Sequence, residues 1–330
     1  MSEVIATRVR TYPRELREQF VTALRGVSEY LVIVFEFCDE KGNWHIGETV
    51  ETPKITGDSH EKIIAELNTE VPRLIVGKEI NEAILLINSS QLTGSSRAAV
   101  DLALNEAIDK GARRDFSIAT DVTIPITEIS KLPAIVADRV KAGFTFFKVK
   151  AHLEPVSELI TKLKIIDELT PIGSHIRIDA NQAWDFTHSA EVLKAISKNN
   201  LAIDYLEQPT QARDFAALAK IKEISEIPIM ADESCFTPDD LSELIQLNAM
   251  DLVNLKLLKS GGLTIARSMS ERAKEAGIEV YIGSMMEGDQ SLSAAATLAF
   301  EVAPDLVHDL DASWWAKESQ LRYLNGKVYL

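Results

Sequence analysis

Hydrophobic and polar positions follow two different rhythms along the chain. From about residue 117 onward, short apolar stretches typical of buried strands alternate with stretches in which apolar residues recur every three to four positions, as on one face of a helix. Strands are predicted at 118–124, 145–149, 175–179, 202–207, 229–232, 252–255, 279–282 and 306–309. Helices between the strands include those predicted at 129–142, 156–169, 189–197, 215–224, 238–247 and 264–276.

Eight strands alternating with seven helices predict an α/β protein with a closed parallel (β/α)7β barrel of the TIM type, in residues 116–311. An open doubly wound sheet is the alternative. Such a sheet gathers its ligands at one switch point, whereas the acidic residues described below follow several strands, so the closed barrel is favoured.

The first 115 residues lack this repeat and are predicted to form a separate α+β domain. Alternating residues at 4–9, 30–37 and 44–50 predict a three-stranded antiparallel meander, with the turn between the last two strands at 39–43. The stretch 12–28 has no clear period. Helical periodicity follows at 59–67, 81–87 and 96–111, and Gly111 is expected to end the last of these helices.

Three consecutive predicted barrel strands, the third to the fifth, end at an acidic residue. Asp179, Glu207 and Asp232 follow one another at intervals of about 28 and 25 residues, which is the length of one strand–helix unit. Because consecutive parallel strands place their carboxyl ends on one face, these carboxylates are expected to converge and to need a cation. Oxygen ligands without His or Cys favour Mg2+. The alternative is that each acid caps the helix that follows its strand.

Three lysines accompany these acids. Lys148 and Lys150 end the second barrel strand, and Lys256 ends the sixth, across the mouth of a closed barrel. A lysine buried beside a metal ion or another cation has a lowered pKa and becomes a usable base near neutral pH. We therefore expect Lys150 and Lys256 to move protons on opposite faces of a substrate and Lys148 to support them electrostatically. The alternative is simple ion pairing with the carboxylates.

Composition and charge narrow the possible partners. The chain has 330 residues, of which 46% are hydrophobic, and a formal net charge of −15, which argues against nucleic acids and anionic membranes as partners. No apolar run approaches the ~18 residues needed to span a bilayer, and the first residues carry no signal-peptide pattern. We expect a cytoplasmic protein with a small-molecule partner, and homo-oligomer formation stays open.

The motifs Lys148-Val149-Lys150, Asp179-Ala180-Asn181, Glu207-Gln208-Pro209 and Asp232-Glu233-Ser234, together with Lys256, resemble the enolase superfamily and, within it, the muconate-lactonizing subgroup. The resemblance extends over nearly the whole chain. It implies three Mg2+ ligands, a lysine pair and an opposing lysine acting on a stabilised enolate. It also implies that residues 1–115 form a capping domain completed by the tail 312–330, and that Asn181 and Glu233 surround the metal ligands.

The residues at the end of the last predicted barrel strand extend the resemblance to a particular class of substrate. His308-Asp309-Leu310-Asp311 places two carboxylates two residues apart, a cradle for an ammonium group, and resembles the Asp-x-Asp motif with which dipeptide epimerases hold the substrate's α-amino group. Residues 20–25 resemble the cap loop of Ala-Glu epimerases, in which the arginine, here Arg25, pairs with the glutamate side chain. Thr123 is a further substrate contact that the resemblance implies.

The resemblance therefore implies an Mg2+-dependent dipeptide epimerase that catalyses 1,1-proton transfer at the α-carbon of the second residue, with L-Ala-L-Glu and L-Ala-D-Glu as substrates. Hydrophobic and cationic dipeptides stay open. Cycloisomerases and o-succinylbenzoate synthases of the same subgroup are alternatives, although neither muconate nor succinylbenzoate has an amine for the acidic pair. From other classes, a Schiff-base lysine aldolase and a non-catalytic binding barrel stay open.

Overall fold

The N-terminal part of the chain pairs three strands into an antiparallel sheet. The structure is a computed structural model that describes residues 2–109 and 115–330. In sheet order the strands are β1 (Val4–Val21), β2 (Gly26–Asp39) and β3 (Trp44–Val50). The stretch 12–28, which has no clear period in the sequence, is part of a long hairpin between β1 and β2. The hairpin is held partly by Phe20, whose ring meets that of Trp315 edge-on at 4.9 Å, a long-range contact that local periodicity does not reveal.

Helices cover one face of this sheet. They are α1 (His60–Ala65), a π-helical turn (Glu66–Glu70), α2 (Val71–Ile75), α3 (Ile80–Asn88) and α4 (Gly94–Asp109). Alternate residues of β2, such as Phe35 and Phe37, point to the helices and join Leu67 and Ala103 in a fully buried apolar cluster. This alternation is what makes one face of the sheet apolar. The predicted helix end at Gly111 lies outside the described residues.

The larger part of the chain forms a parallel sheet that curls into a barrel. Its strands are preceded by the short strand β4 (Ser117–Ala119) and are β5 (Val122–Ile124), β6 (Phe146–Lys150), β7 (His175–Asp179), β8 (Leu206–Glu207), β9 (Ile229–Ala231), β10 (Leu252–Lys256) and β11 (Glu279–Gly283). The helices are a 3-10 turn (Ile129–Lys131), α5 (Leu132–Lys141), α6 (Val156–Leu169), α7 (Phe186–Lys198), α8 (Phe215–Ile224), α9 (Pro238–Gln246), α10 (Leu257–Ser260), α11 (Leu263–Glu275) and α12 (Asp289–Val302).

Two predicted strands differ from the structure. The stretch 118–124 is divided, because β4 pairs with a strand near the C-terminus and only β5 joins the barrel. The predicted strand 306–309 is reduced to single bridges at His308 and Asp309. Those bridges still close the barrel, since Asp309 N–H donates to Ile282 O (3.1 Å) and Asp121 N–H donates to His308 O (2.9 Å). The closed barrel is confirmed, and the open sheet is excluded.

The C-terminal tail contacts both parts of the molecule. It contains α13 (Ala312–Trp315), β12 (Arg322–Leu324) and β13 (Lys327–Tyr329). Lys317 N–H donates to Glu15 O of β1 at 2.9 Å, whereas β13 pairs with β4 beside the barrel. The assignment of residues 312–330 to the capping domain, and the boundary between residues 115 and 116, stay predictions. None of the described helices is long and apolar enough to cross a membrane.

Candidate active site

Three carboxylates meet at the mouth of the barrel. Asp179 and Glu207 are the last residues of β7 and β8 and are neighbours in register, and Asp232 directly follows β9. One carboxylate oxygen from each lies within 4.8 Å of those from the other two, and all three side chains are buried. The alternative that these acids cap the following helices is wrong, because the N-caps of α7, α8 and α9 are Asp185, Asp214 and Thr237.

The electrostatics of this triad call for a cation. Burial, followed by the negative charge of Asp179, raises the pKa of Glu207 to about 7. Burial alone would also raise the pKa of Asp232, but Lys256 and Lys259 outweigh it and hold that pKa below the ordinary value. Glu207 Oε2 is buried, and although Lys148 Nζ lies 2.8 Å away, no described donor points at it with hydrogen-bond geometry. Three carboxylate ligands, one of which has an oxygen that accepts no hydrogen bond from a described donor, fit Mg2+.

The predicted lysines surround the triad. Lys148 Nζ is fully buried and donates to Asp309 Oδ2 at 2.8 Å and to Glu207 Oε1 at 3.0 Å. Lys150 Nζ donates to Asp179 Oδ2 at 2.6 Å, and Lys256 Nζ donates to Asp232 Oδ2 at 2.8 Å. The ion pairing that was the alternative for these lysines is therefore present.

The carboxylates shift the pKa values of two of these lysines upward. Burial alone would lower the pKa of Lys148, but Asp309 and Glu207 outweigh it and raise the pKa. Burial alone would lower the pKa of Lys256 as well, but the charges of Asp232 and Asp309 outweigh it and raise this pKa. The sequence predicts lowered values instead. A divalent ion that binds the same carboxylates competes with the lysines for their charge and therefore lowers the pKa of both amines.

A cavity beside the triad is lined partly by residues of the barrel mouth and partly by residues of the β1–β2 hairpin and its turn. Eight of the predicted residues line it: Arg25, Thr123, Lys150, Asn181, Glu233, Lys256, Asp309 and Asp311. Lys148 and the three carboxylates lie beneath its floor. The sequence predictions are thus brought to one place, and the chemical role of each residue stays a prediction.

The acidic pair Asp309 and Asp311 stands at one side of the cavity. Asp311 Oδ2 accepts hydrogen bonds from Thr123 N–H (2.7 Å) and from Trp315 Nε1–H (2.9 Å). Burial, with the charge of Asp309, raises the pKa of Asp311. A cation placed between the two carboxylates offsets that repulsion. His308 faces away, because its Nδ1 accepts from Ile282 N–H at 3.0 Å and its Nε2 lies 2.9 Å from Ala303 O.

Arg25 reaches the cavity from the opposite, N-terminal side. It follows the turn of the β1–β2 hairpin, where Thr22 N–H donates to Arg25 O at 2.8 Å. Within residues 2–109 and 115–330, its guanidinium has no ion-pair or hydrogen-bond partner. Burial, only partly opposed by the charge of Glu51, lowers the pKa of Arg25. A half-buried guanidinium without a partner favours an anionic ligand.

Asn181 and Glu233 adjoin the triad. Asn181 Nδ2 donates to Asp179 Oδ2 (3.3 Å) and to Glu233 Oε1 (3.1 Å), and the backbone of Asn181 has a left-handed φ of 43°. Glu233 Oε2 is buried and has no described hydrogen-bond partner. Burial, with the charge of Asp232, raises the pKa of Glu233 to about 8. The Asn181 amide thus orients the Asp179 carboxylate and bridges it to the carboxyl group of Glu233.

Two polar residues of the site were missed by the sequence reasoning. Lys259, in α10, donates to Asp232 Oδ1 and to Asn254 O. Asn254 donates through Nδ2 to Glu207 Oε1 (3.0 Å) and to Asp309 Oδ2 (3.1 Å). Asn254 lies two residues before Lys256 on the same face of β10, and Lys259 lies three residues after it. The two-residue spacing is the signal that could have found Asn254, whereas no spacing rule of a strand points to Lys259.

Comparison with known proteins places these observations in context. Residues 131–328 match the family described as enolase C-terminal domain-like. The L-Ala-D/L-Glu epimerase of Clostridium acetobutylicum is 33% identical over 298 residues, which cover 86% of this chain and 83% of that protein. The substrate-liganded L-Ala-D/L-Glu epimerase from Bacillus subtilis superposes with a TM-score of 0.94 at 27% identity, covering 99% of this chain and 96% of the other. A dipeptide epimerase from Enterococcus faecalis, solved with Mg and the dipeptide L-Leu-L-Tyr, has a TM-score of 0.91 at 26% identity, with 99% and 97% covered.

Proposed function

The chain belongs to the enolase superfamily and is an isomerase, and we propose that it inverts the α-carbon of the second residue of dipeptides, with L-Ala-L-Glu and L-Ala-D-Glu as its substrate pair. Mg2+ is its cofactor, and Asp179, Glu207 and Asp232 hold it. When bound there, the ion draws electron density from the C-terminal carboxylate of the substrate and makes the adjacent α-proton more acidic.

The lysines carry out the proton transfer. Lys150 and Lys256 stand on β6 and β10, which are separated by three strands of the barrel, and both face the cavity. One amine removes the α-proton from one face of the substrate, which leaves a planar intermediate, and the ammonium on the other side delivers a proton to the opposite face of that intermediate. Lys148, buried beneath the cavity, stabilises the negative charge that forms on the substrate after proton loss.

The two ends of the substrate carry charges of opposite sign, and each end contacts protein groups that bear the complementary charge. Asp309 and Asp311 accept hydrogen bonds from the α-ammonium group, and Thr123, whose N–H orients Asp311, lines the same wall. Arg25 reaches the other end of the cavity and pairs with the side-chain carboxylate of the second residue. Such a substrate has three charged groups, and each meets a group of opposite charge.

The observation that carries the choice of substrate is the guanidinium of Arg25, which lines the same cavity as the two lysines and has no partner among the described residues. A side chain with a carboxylate satisfies it, whereas an apolar or cationic second residue leaves it half-buried and unpaired, at a cost of about 1 to 3 kcal/mol.

The experiment is incubation of the protein with Mg2+ and a dipeptide library in D2O, with mass spectrometry as the readout. We expect deuterium to enter the α-position of L-Ala-L-Glu and L-Ala-D-Glu fastest, with interconversion of the two. Faster uptake by apolar or cationic dipeptides would overturn the substrate assignment. Trapping of substrate on the protein by borohydride would instead indicate a Schiff base.

A further inference from the structure

Helix α4 of the N-terminal part contacts the barrel segment that follows Lys256. Asp101, in the middle of α4, is fully buried, and its Oδ2 accepts a hydrogen bond from the backbone N–H of Thr264 at 3.0 Å. Asn105, one turn later, donates through Nδ2 to Thr264 Oγ1 at 3.2 Å. None of these groups takes part in the chemistry proposed above.

The hydrogen bond meets a need of helix α11. The first backbone N–H groups of a helix have no partner within the helix and are commonly satisfied by the side chain of the N-cap residue. The N-cap residue of α11 is Gly262, which has no side chain to offer. Asp101 therefore supplies the cap from a different element, and its negative charge suits the positive end of the helix dipole.

The turn before α11 is shaped to fit side chains of α4. Gly262 has a φ of +123°, and a Cβ atom there would lie 2.6 Å from Asp101 Cβ. Gly261 has a φ of +89°, and its Cβ would lie 2.8 Å from Arg97 Nε. Only glycine permits this backbone at so close an approach. The turn is consequently fixed in position by the N-terminal part of the chain.

A short hydrogen-bonded segment connects that turn to Lys256. The N–H groups of Gly261 and Gly262 both donate to Leu257 O, at 3.0 and 2.8 Å. Ser260 Oγ donates to Lys256 O at 3.2 Å. A shift of the turn is thereby transmitted to the backbone that carries Lys256, whereas Lys150 lies on β6 between β5 and β7.

We propose that Asp101 is a positioning residue for Lys256, so that helix α4 sets the place of one proton-transfer group and leaves the other unaffected. The inference rests on the proposed function, in which each lysine serves one epimer. Because misplacement by about 1 Å can cost a rate factor on the order of 100, the effect of losing Asp101 is expected on the one epimer that Lys256 deprotonates.

The test compares the initial rates of α-proton exchange of the two epimers in D2O for Asp101→Ala. Lys150→Ala and Lys256→Ala identify which epimer each lysine serves. We expect exchange of the Lys256-dependent epimer to fall about 10- to 100-fold, while exchange of the other epimer changes less than about twofold. Gly262→Ala, which perturbs the same contact from the barrel side, should give the same asymmetry.

Two variants separate positioning from general destabilisation. Asp58 Oδ2 caps the N-terminal end of α4, the helix that carries Asp101, by accepting hydrogen bonds from Ser95 N–H (3.2 Å) and Ser95 Oγ–H (2.7 Å). Asp58→Ala should therefore lower the melting temperature without favouring either epimer. Asp101→Asn retains an oxygen for Thr264 N–H. Its amide replaces the Oδ1 that accepts from Asn88 Nδ2 at 3.2 Å, and a flip of the Asn88 amide lets its Oδ1, which has no described partner, accept from the new NH2 group. This variant should restore nearly wild-type exchange of both epimers.

Amide hydrogen exchange gives a readout independent of catalysis. In Asp101→Ala, the backbone of residues 257–264 should exchange faster than in Asp58→Ala. Equal exchange of this segment in the two variants, or equal loss of both epimers in folded Asp101→Ala or Gly262→Ala, overturns the proposal. If the wild-type protein exchanges neither epimer, the proposed function fails, and the amide exchange of residues 257–264 alone decides whether Asp101 holds the turn.

Discussion

The barrel mouth and the β1–β2 turn, residues 22–25, differ in whether the cations that they place around the cavity are paired. At the mouth, every lysine is held by carboxylates on neighbouring strands, for example Lys150 by Asp179 at 2.6 Å and Lys256 by Asp232 at 2.8 Å. At the turn, Arg25 has no described partner. Groups fixed on rigid strands suit a reaction common to all substrates, and an unpaired group on a turn suits selection among them.

Metal removal should have the largest effect and should not discriminate between substrates. Exhaustive chelation is expected to abolish epimerisation of acidic and apolar dipeptides alike. Without the ion, the three carboxylates repel one another, and no Lewis acid increases the acidity of the substrate's α-proton. Addition of Mg2+ should restore activity, and isothermal titration should find one site that Glu207→Gln weakens. Full activity after rigorous chelation would contradict the metal assignment.

Loss of the ammonium cradle should also affect all dipeptides, but less severely. Asp311→Asn preserves the shape of the side chain and removes its charge. We therefore expect kcat/KM to fall about 30- to 150-fold for every dipeptide with a free amino group, which corresponds to a loss of roughly 2 to 3 kcal/mol in transition-state stabilisation. N-acetylated dipeptides, which lack the ammonium, should be poor substrates of the wild-type protein and lose little more in the variant. Equal losses for acetylated and free peptides would show that Asp311 acts only through its bond to Trp315.

Loss of Arg25 should have a smaller effect that is confined to acidic substrates. Arg25→Ala is expected to reduce kcat/KM for L-Ala-L-Glu by roughly 1 to 3 kcal/mol while sparing dipeptides with an apolar second residue. Arg10→Ala is the matched control, because it removes the same charge from an exposed position on β1, the strand that leads into the turn carrying Arg25. A similar loss on acidic and apolar dipeptides would assign Arg25 a role in folding and would remove the distinction between the two regions.

The sequence was most informative where local pattern and tertiary position coincide. The strand 175–179 and its terminal Asp179 follow from alternation and a turn signal, and the structure has the strand at the same residues. The strand 306–309 does not form as predicted, because within it only His308 and Asp309 make bridges, His308 to Thr120 on one side and Asp309 to Gly283 on the other. The hairpin through residues 12–28 was missed, since its stability depends on pairing with distant residues and on contacts such as Phe20 with Trp315.

The site shows the same limit. The acids and lysines at strand ends were predictable because parallel strands bring their ends together. Lys259 was not, because it lies on a four-residue helix after the strand and reaches Asp232 only through the fold of that turn. The upward pKa shifts of Lys148 and Lys256 also depend on how many carboxylates surround each amine, which spacing along the chain does not give.

The central claim is that Lys150 and Lys256 act on opposite faces of one α-carbon, and the most direct measurement is proton exchange by the two single variants. Each purified epimer of Ala-Glu is incubated in D2O with Lys150→Ala or Lys256→Ala, and exchange and inversion are followed separately. Inversion should be abolished in both directions in both variants, because each direction needs both groups. Each variant should still exchange one epimer with retention, and the two variants should exchange opposite epimers. Exchange of the same epimer by both variants, or inversion at the wild-type rate by either one, would contradict the two-base account.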